Sequence, residues 1–201
     1  MRNALLLFLS LALIAFSLPA SAQNNDFAVV VGAKFSPSAS SAFGATKVNT
    51  AAAIQGSVAV QVVGLPFASL QIELPFTGVP NSTVASTNFF AAKSYSSLYI
   101  TPGLRLKLKP ESAFNPWVAV GGGLVRFNPS SVSVAGGNTS ASGALKGTLD
   151  AAVGVDFKLP VVPLTLRTEA REFFSGSPNV NVNNFTLHNN VFAGIGLVLR
   201  F

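Results

Sequence analysis

The chain contains no cysteine, a single histidine, and only 13 Lys and Arg and 7 Asp and Glu among 201 residues. The absence of cysteine excludes disulfide bonds, and one histidine cannot supply the set of about four Cys or His ligands that a structural zinc site requires. Charged residues make up 10% of the chain, against about 25% in a typical soluble domain. A soluble protein with so little charge would have difficulty covering its surface, whereas a protein whose exterior faces lipid would not.

Long apolar runs are also missing, apart from one near the N-terminus. Arg2 precedes an apolar stretch from Leu5 to Leu18, and small residues follow at positions 20–22. This pattern predicts a secretory signal peptide, residues 1–22, cleaved after Ala22, and one domain over residues 23–201. An uncleaved membrane anchor is the alternative, but the run is shorter than the about 20 residues that a spanning helix needs.

What the chain has instead is alternation of apolar and polar residues with a period of two, which is the signal of β-strands. Eight stretches show it: 26–35, 52–63, 69–76, 97–108, 116–127, 144–157, 163–174 and 191–201. The connections alternate between long and short, and the short ones contain Pro66, Pro110 and Pro160. Such a rhythm predicts an all-β protein, an eight-stranded antiparallel up-and-down β-barrel with loops at one end and tight turns at the other. We expect a bulge or a strand end at Pro102 and at Pro163, because proline removes a donor from the ladder.

The two faces of the predicted strands differ in charge. One face is almost uncharged, and the other carries both signs, so that opposite charges can pair. We predict that the uncharged face lies against lipid and that the charges form a network in the lumen, comprising Glu73, Arg105, Arg126, Asp150, Arg167, Glu169 and Arg171, with Lys146, Asp156 and Arg200 on the same face. A lipocalin-like barrel or a soluble sandwich would need the opposite orientation, with charge outside.

Aromatic residues are expected to mark the two boundaries of the apolar belt, as in transmembrane β-barrels. The predicted girdle consists of Phe27, Phe35, Phe76, Trp117, Phe127, Phe157 and Phe174. From Trp117 to Phe127 is a distance along a tilted strand of about 25 Å, which matches the height of such a belt. Basic residues near the short turns, Lys107, Lys109, Lys158 and Arg200, are interpreted either as contacts to anionic headgroups or as ordinary solubilising charge.

The C-terminal segment "GIGLVLRF" resembles the last strand of bacterial outer-membrane β-barrels, which alternates and ends in phenylalanine. The segments "NPWVAVGGGLVRF" and "LTLRTEAREFF" also resemble strands of the small OmpA/OmpX-like barrels. The resemblance implies a monomer in the bacterial outer membrane, surrounded by its lipids. It also implies that the barrel assembly machinery reads the C-terminal strand through Ile195, Leu197, Leu199 and Phe201. No peptidoglycan-binding domain of the OmpA type is expected.

No catalytic, metal or cofactor site is predicted, and the scattered basic residues do not indicate nucleic-acid binding. Calcium binding by the long connections is not expected, because residues 36–51, 77–96, 128–143 and 175–186 contain no Asp or Glu. Lipid A deacylases of similar shape carry a His–Ser pair late in the chain, where this sequence has "REFFSGSP" without histidine. His188 as a hydrolytic base is therefore the least favoured hypothesis. The charged lumen is interpreted as a plug, with a narrow pore for small solutes as the alternative.

Overall fold

The computed structural model describes residues 25–36, 39–41, 44–87, 89–110, 112–160, 164–176, 178 and 187–201. The predicted signal peptide lies outside these segments. Within them all regular structure is β-strand: β1 (Asp26–Phe35), β2 (Ala39–Ser41), β3 (Gly44–Val48), β4 (Ala51–Leu65), β5 (Ala68–Ser86), β6 (Ser94–Ile100), β7 (Gly103–Leu108), β8 (Phe114–Pro129), β9 (Ala144–Lys158), β10 (Leu164–Gly176) and β11 (Leu187–Arg200). No helix of the described segments has the length and hydropathy needed to cross a membrane.

The strands form a closed antiparallel ring with eight positions. Going round it, the order is β1, β4, β5, β6 with β7, β8, β9, β10 and β11, and β11 returns to β1. The closing seam is continuous from the pair Asp26 and Arg200 to the pair Phe35 and Val191. Because each strand pairs with its neighbour in sequence around the ring, the topology is up-and-down, as predicted. Closure leaves no free edge in the barrel wall.

One barrel position is occupied by two successive strands, β6 and β7, which both pair with β5 and β8. The interruption falls at Thr101 and Pro102, where a bulge or strand end was expected. Backbone hydrogen bonds still bridge it: Gly122 N donates to Pro102 O at 3.1 Å, and Thr101 N donates to Pro75 O at 3.4 Å. The barrel wall therefore remains hydrogen-bonded at Pro102, between β6 and β7. The other position, Pro163, lies outside the described residues.

The loop end of the barrel is more structured than the sequence indicates. β5 continues to Ser86, ten residues past its predicted end at Phe76, and β2 and β3 form a hairpin inside the predicted connection 36–51. The extension pairs with β3 on one side, from Thr46↔Ser86 to Val48↔Val84, and with β6 on the other. Residues 77–86 lack a strict alternation of apolar and polar residues. Their strand conformation therefore depends on backbone hydrogen bonds to β3 and β6 rather than on the hydrophobic pattern.

The orientation of the wall agrees with the prediction of an inverted barrel. Apolar side chains such as Val31, Ile72 and Leu149 are 54%, 53% and 65% exposed on the outside, whereas Arg105 and Arg167 are 0% exposed. Similar exposed apolar residues occur on every strand of the ring except β10, where the outward Leu164, Leu166 and Phe174 are partly exposed. A continuous exterior of this kind is far larger than the apolar patches that soluble monomers tolerate.

Strand β8 is the exception, because its two faces are exchanged relative to the prediction. Trp117 and Phe127, expected in the outer girdle, are 2% and 0% exposed and point into the lumen, while Val118 and Val120 are on the outside. Arg126, expected in the lumen, is exposed. The predictions for these three residues are therefore wrong.

The sequence of β8 explains the error. Both faces are apolar and Gly121–Gly123 interrupts the middle, so that the alternation does not mark an inner face. The indole N–H of Trp117 determines which of the two faces of β8 points inward, because a buried Trp needs a hydrogen-bond acceptor and lipid chains offer none. Asp156 provides that acceptor inside the lumen, at 3.2 Å from Nε1. The consequence is that Arg126 lies outside, between Leu98 and Leu145 of the neighbouring strands.

The remaining residues of the predicted girdle lie on the outer face. Phe27, Phe35, Phe76 and Phe157 are between 37% and 47% exposed. Phe174 is partly exposed. Phe114, which the sequence analysis did not select, packs edge-to-face against Phe157 with ring centroids 5.3 Å apart. The aromatic boundary thus has five of its seven predicted members on the outside, and its role stays a prediction.

Gly154 makes room for Trp117, since the two residues are directly opposite in the register of β8 and β9. A Cβ atom at position 154 would overlap the indole ring and lie 2.7 Å from Thr168 O. We expect Gly154→Ala to lower the free energy of unfolding by about 1–3 kcal/mol, because neither the buried ring nor the backbone can yield easily. Urea unfolding in lipid vesicles measures this.

Gly147→Ala is the matched control, because it is on the same strand and an added Cβ would meet no atom within 4 Å. It should leave the free energy of unfolding within about 0.5 kcal/mol of the native value. Equal effects of the two substitutions would contradict the packing of Trp117 described above.

Candidate functional site: the ionic interior of the barrel

Ten charged side chains from six of the eight barrel positions meet in the half of the lumen nearest the short turns. We call them the ionic cluster: Asp26, Glu73, Arg105, Lys107, Asp150, Asp156, Arg167, Glu169, Arg171 and Arg200. Nine are buried, and the side chain of Arg200 is 13% exposed. Five are acidic and five are basic, so the formal charge of the cluster is zero.

The lower part of the ionic cluster is built around Asp26 and Asp156. Arg167 binds Asp156 through two hydrogen bonds, from Nε to Oδ1 at 2.7 Å and from Nη2 to Oδ2 at 2.9 Å, and its Nη2 also reaches Asp26 Oδ2 at 3.1 Å. Lys107 lies between the same two carboxylates, hydrogen-bonded to Asp26 and 3.1 Å from Asp156 Oδ2. Arg200 closes the group, 3.4 Å from Asp156 and 3.6 Å from Asp26. First and last barrel strands are thus joined by charge as well as by backbone.

The upper part is built around Glu73. Its carboxylate accepts from Arg105 Nε at 3.0 Å and from Arg171 Nη2 at 2.6 Å. Arg105 also lies 3.4 Å from Asp26, which connects the two parts, and Arg171 is hydrogen-bonded to Asp150. Charge-assisted bonds of this kind are among the strongest in proteins. The contacts of Arg171 with Glu73 and of Arg105 with Asp26 cross the lumen between strands that are not neighbours, whereas the other two contacts join adjacent strands.

Glu169 extends the network toward the loop end. Its Oε1 accepts from Gln55 Nε2 at 2.5 Å and lies 3.7 Å from Arg171 Nε. Gln55 in turn accepts from Thr77 Oγ1 at 2.8 Å. A continuous chain of polar contacts therefore connects Asp26, at the turn end of the lumen, with Thr77, nearer the loop end.

Trp117 is packed inside the ionic cluster. The guanidinium carbons of Arg105 and Arg167 lie 4.4 Å and 5.1 Å from its ring centroid, and its Nε1 donates to Asp156. Cations over a desolvated indole face are attracted by about 2 kcal/mol. Trp117 thus fills space between two arginines and helps to fix both of them.

Six of the seven residues predicted for the lumen network lie in the ionic cluster, and Arg126 does not. The sequence analysis placed Asp156 and Arg200 on the correct face. Asp26 was not predicted for the network. Lys107 and Arg200 were interpreted either as contacts to anionic headgroups or as ordinary solubilising charge, and both interpretations are wrong for Lys107, which is 1% exposed. The signal was present: Lys107 has the same strand parity as Arg105, and Asp26 opposes Phe27. Lys146 shares the inward parity of its strand but is exposed at the rim.

The loop half of the lumen is apolar. We call this group the apolar cluster: Val30, Val48, Ala51, Ala53, Val79, Val84, Ala92, Tyr95, Tyr99, Val125, Phe127, Phe173 and Phe192. Tyr99 stacks on Phe173 with centroids 4.2 Å apart, and Tyr95 and Tyr99 meet the edge of Phe127 at 5.8 Å and 6.2 Å. The interior therefore has two layers, an ionic one at the turn end and an aromatic one at the loop end.

The chemistry available to the ionic cluster is charge compensation. Each of its five carboxylates has an arginine or lysine nitrogen within 3.7 Å. Among the described residues, no group of three or more potential His, Cys, Asp or Glu ligands is placed to hold a metal ion. The side chain of His188 lies outside what the structure describes, so that it enters no part of the site.

No protein-family model matches the chain, and no curated protein matches it. Among solved structures it is similar to Neisserial surface protein A, with a TM-score of 0.58, 14% identity, and coverage of 88% of this chain and 96% of that one. It is also similar to the outer membrane protein OprG from Pseudomonas aeruginosa, with a TM-score of 0.56, 13% identity, and coverage of 90% and 98%. These likenesses show the fold, the eight-stranded barrel of small bacterial outer-membrane proteins.

The position of the only tryptophan can be tested directly, because it reports the inside of the barrel. We expect lipids with brominated acyl chains to leave the fluorescence of Trp117 nearly unchanged, since the ring is enclosed by charged residues. The double variant Trp117→Phe with Val120→Trp moves the indole to the outer face of the same strand, where quenching should be strong. Strong quenching of the native protein would show that the described orientation of β8 is wrong.

Loss of one carboxylate should destabilise the ionic cluster. Asp156→Asn removes the charge that faces Arg167, Lys107 and Arg200, which leaves buried cations uncompensated. We expect a decrease of about 3–5 kcal/mol in the free energy of unfolding in vesicles. Glu172→Gln is the control, because this outward carboxylate contacts only Asn189, at 3.2 Å, among the described polar groups. It should change the free energy by less than about 1 kcal/mol, and a similar loss in both variants would argue against a compensated interior.

Proposed function

We propose that the protein is an integral, monomeric component of the bacterial outer membrane with a structural or surface-interaction role and without a catalytic step. The observation that carries this proposal is the combination of an apolar exterior with an interior whose charges compensate one another. The first requires lipid around the barrel, and the second leaves the lumen closed.

The apolar belt supports the membrane location. Exposed leucines, valines and isoleucines surround the ring, with Phe27, Phe114 and Phe157 near the short turns and Phe35 nearer the loops. Aromatic rings at the two limits of an apolar band are typical of barrels in a bilayer. In this placement outer-membrane lipids are the protein's main partners, and Arg126 lies at the outer boundary, where an arginine can reach lipid phosphates.

The loop end supports a role in surface interactions. Phe89 and Phe90 are 69% and 72% exposed, although their segment is tied to the connection between β8 and β9. Lys93 N donates to Val132 O at 2.9 Å, and Thr139 Oγ1 donates to Phe90 O at 2.8 Å. These contacts hold the backbone that carries the two exposed rings, and aromatic residues are enriched at recognition surfaces.

The C-terminal strand supports delivery by the barrel assembly machinery. Ile195 and Leu197 are 50% and 48% exposed on the outer face of β11. The backbone of Phe201 continues the strand, with its N donating to Asn25 O at 3.1 Å. The alternating, outward-facing strand that the resemblance implies is therefore available as a recognition element before the seam with β1 closes.

A conductance measurement separates this proposal from a narrow pore. The purified protein in planar bilayers should give no discrete current steps, because the ionic and apolar clusters fill the lumen at successive heights. A large porin reconstituted in parallel shows that the membrane reports channels. Regular ohmic steps from the native protein would favour the narrow pore instead.

Cell fractionation tests the location in the same preparation. After expression in a Gram-negative host, the protein should be recovered with the outer membrane and should migrate faster on gels before heating than after it. Recovery from the inner membrane or the soluble fraction would contradict the proposal, whatever the conductance result.

A further inference from the structure

Lys34 is the one buried cation of the described barrel that does not belong to the ionic cluster. It lies near the loop end of β1, its side chain points inward, and it is 1% exposed. Its Nζ donates to Tyr95 Oη at 3.1 Å and lies 4.8 Å from the centroid of the Tyr95 ring. Because the phenol of Tyr95 is uncharged, this contact provides an acceptor for one N–H of the ammonium but does not compensate its positive charge.

The charge balance of the lumen makes Lys34 exceptional. The ionic cluster contains five acidic and five basic residues, and each of its carboxylates already has a cation. No described carboxylate lies within 4 Å of Lys34 Nζ, whereas Lys107 at the opposite end contacts two. A buried cation without a counter-charge is strongly disfavoured. A lysine buried in this way is either neutral or accompanied by an anion. The described chain supplies no such anion, so that an anionic ligand would be needed to keep Lys34 protonated.

A second group beside Lys34 also lacks a partner. Asn190 is 0% exposed, its Oδ1 accepts from Ser36 Oγ at 2.7 Å, and no described acceptor lies within hydrogen-bond distance of its Nδ2. Lys34 is paired with Phe192 across the seam and Phe35 with Val191, so that Asn190 lies diagonally opposite Lys34 on the inward face. Lys34 and Asn190 are thus two donors on adjacent strands of the same inward face.

The surroundings indicate the kind of anion. Directly below Lys34 are apolar cluster members, Phe192 and Val30 at 0% exposure and Tyr95 at 2%. A single cation is neutralised by one negative charge, which a monocarboxylate provides, while a doubly charged phosphate would leave an excess in an apolar environment. One end of the ligand must be anionic and the rest apolar.

We propose that Lys34, Asn190 and Tyr95 form a binding site for the carboxylate of a small amphipathic monocarboxylic acid, which approaches from the loop end and whose apolar part lies on the loop side of the apolar cluster, above the filled part of the lumen. Lys34 supplies the charge, Asn190 Nδ2 donates a hydrogen bond, and the ring of Tyr95 covers the junction between head and tail. The site is independent of the surface-interaction role proposed above, and its failure would leave that role untouched.

Thermal unfolding of the detergent-solubilised barrel tests the site with hexanoate as the probe. At matched ionic strength, hexanoate should raise the unfolding midpoint relative to chloride, and inorganic phosphate should not. At a concentration ten times its dissociation constant, the probe should increase the folding constant roughly tenfold. A rise with phosphate but not with hexanoate, or no rise with either, overturns the proposal.

Variants assign the effect to the site. Lys34→Met should abolish the response to hexanoate, and Lys34→Arg, which keeps the charge, should retain at least part of it. Lys93→Met is the matched control, because this lysine at the loop end is exposed, and its response should equal that of the native protein. An undiminished response in Lys34→Met would show that hexanoate acts elsewhere and would overturn the assignment.

Should Lys34→Met fail to fold, the native protein alone decides. The carboxyl resonance of 13C-labelled hexanoate should shift saturably, at one equivalent per chain, upon addition of the barrel. A shift that only grows in proportion to the detergent, without saturation by protein, would overturn the proposal.

Discussion

The narrowness of a ring of eight strands is the constraint on which the rest of the structure depends. Once β11 has paired with β1, the interior has room for side chains and little else. Water cannot readily solvate a charge there, so an ionic group is stabilised mainly by a partner of opposite charge within the lumen, on an adjacent strand or across it. The ionic cluster satisfies this condition for five acidic and five basic residues. The same lack of space explains why Trp117 stands opposite a glycine, because no larger residue at position 154 would admit its ring.

Strands with one charged and one apolar face could be predicted from the sequence, together with the direction of their side chains. In β10, Arg167, Glu169 and Arg171 alternate with the uncharged Leu166, Thr168 and Ala170, and all three charged residues lie in the lumen. β8 could not be predicted in this way, since its residues are apolar on both sides and its single charge, Arg126, lies at the end. Its orientation depends on which face can offer an acceptor to Trp117, and that is a property of β9 rather than of β8. Tertiary contacts, not local pattern, decide such a strand.

The last residue of a strand could be predicted where the apolar alternation stops at a proline-containing turn. It could not be predicted where a strand continues beyond the apolar belt of the barrel toward the loops. β9 ends one residue from its predicted limit, while β5 runs ten residues further. Beyond Phe76, pairing with β3 and β6 holds the backbone, and the side chains no longer need to alternate between lipid and lumen. Membership of the ionic cluster shows a similar limit. Asp26 and Lys107 have the correct parity, but their isolation near strand ends makes them resemble turn residues.

The two layers of the interior have different consequences for function. In the ionic layer the barrel supplies both members of every pair, so that a ligand there would have to displace a partner already bound to several strands. The apolar layer consists mainly of rings and aliphatic side chains, and at its upper limit Lys34 Nζ has a phenol oxygen as its partner and Asn190 Nδ2 has no described acceptor. Any recognition by the interior is therefore confined to the loop end, close to the exposed Phe89 and Phe90. In the turn half of the barrel, by contrast, the acidic and basic residues compensate one another.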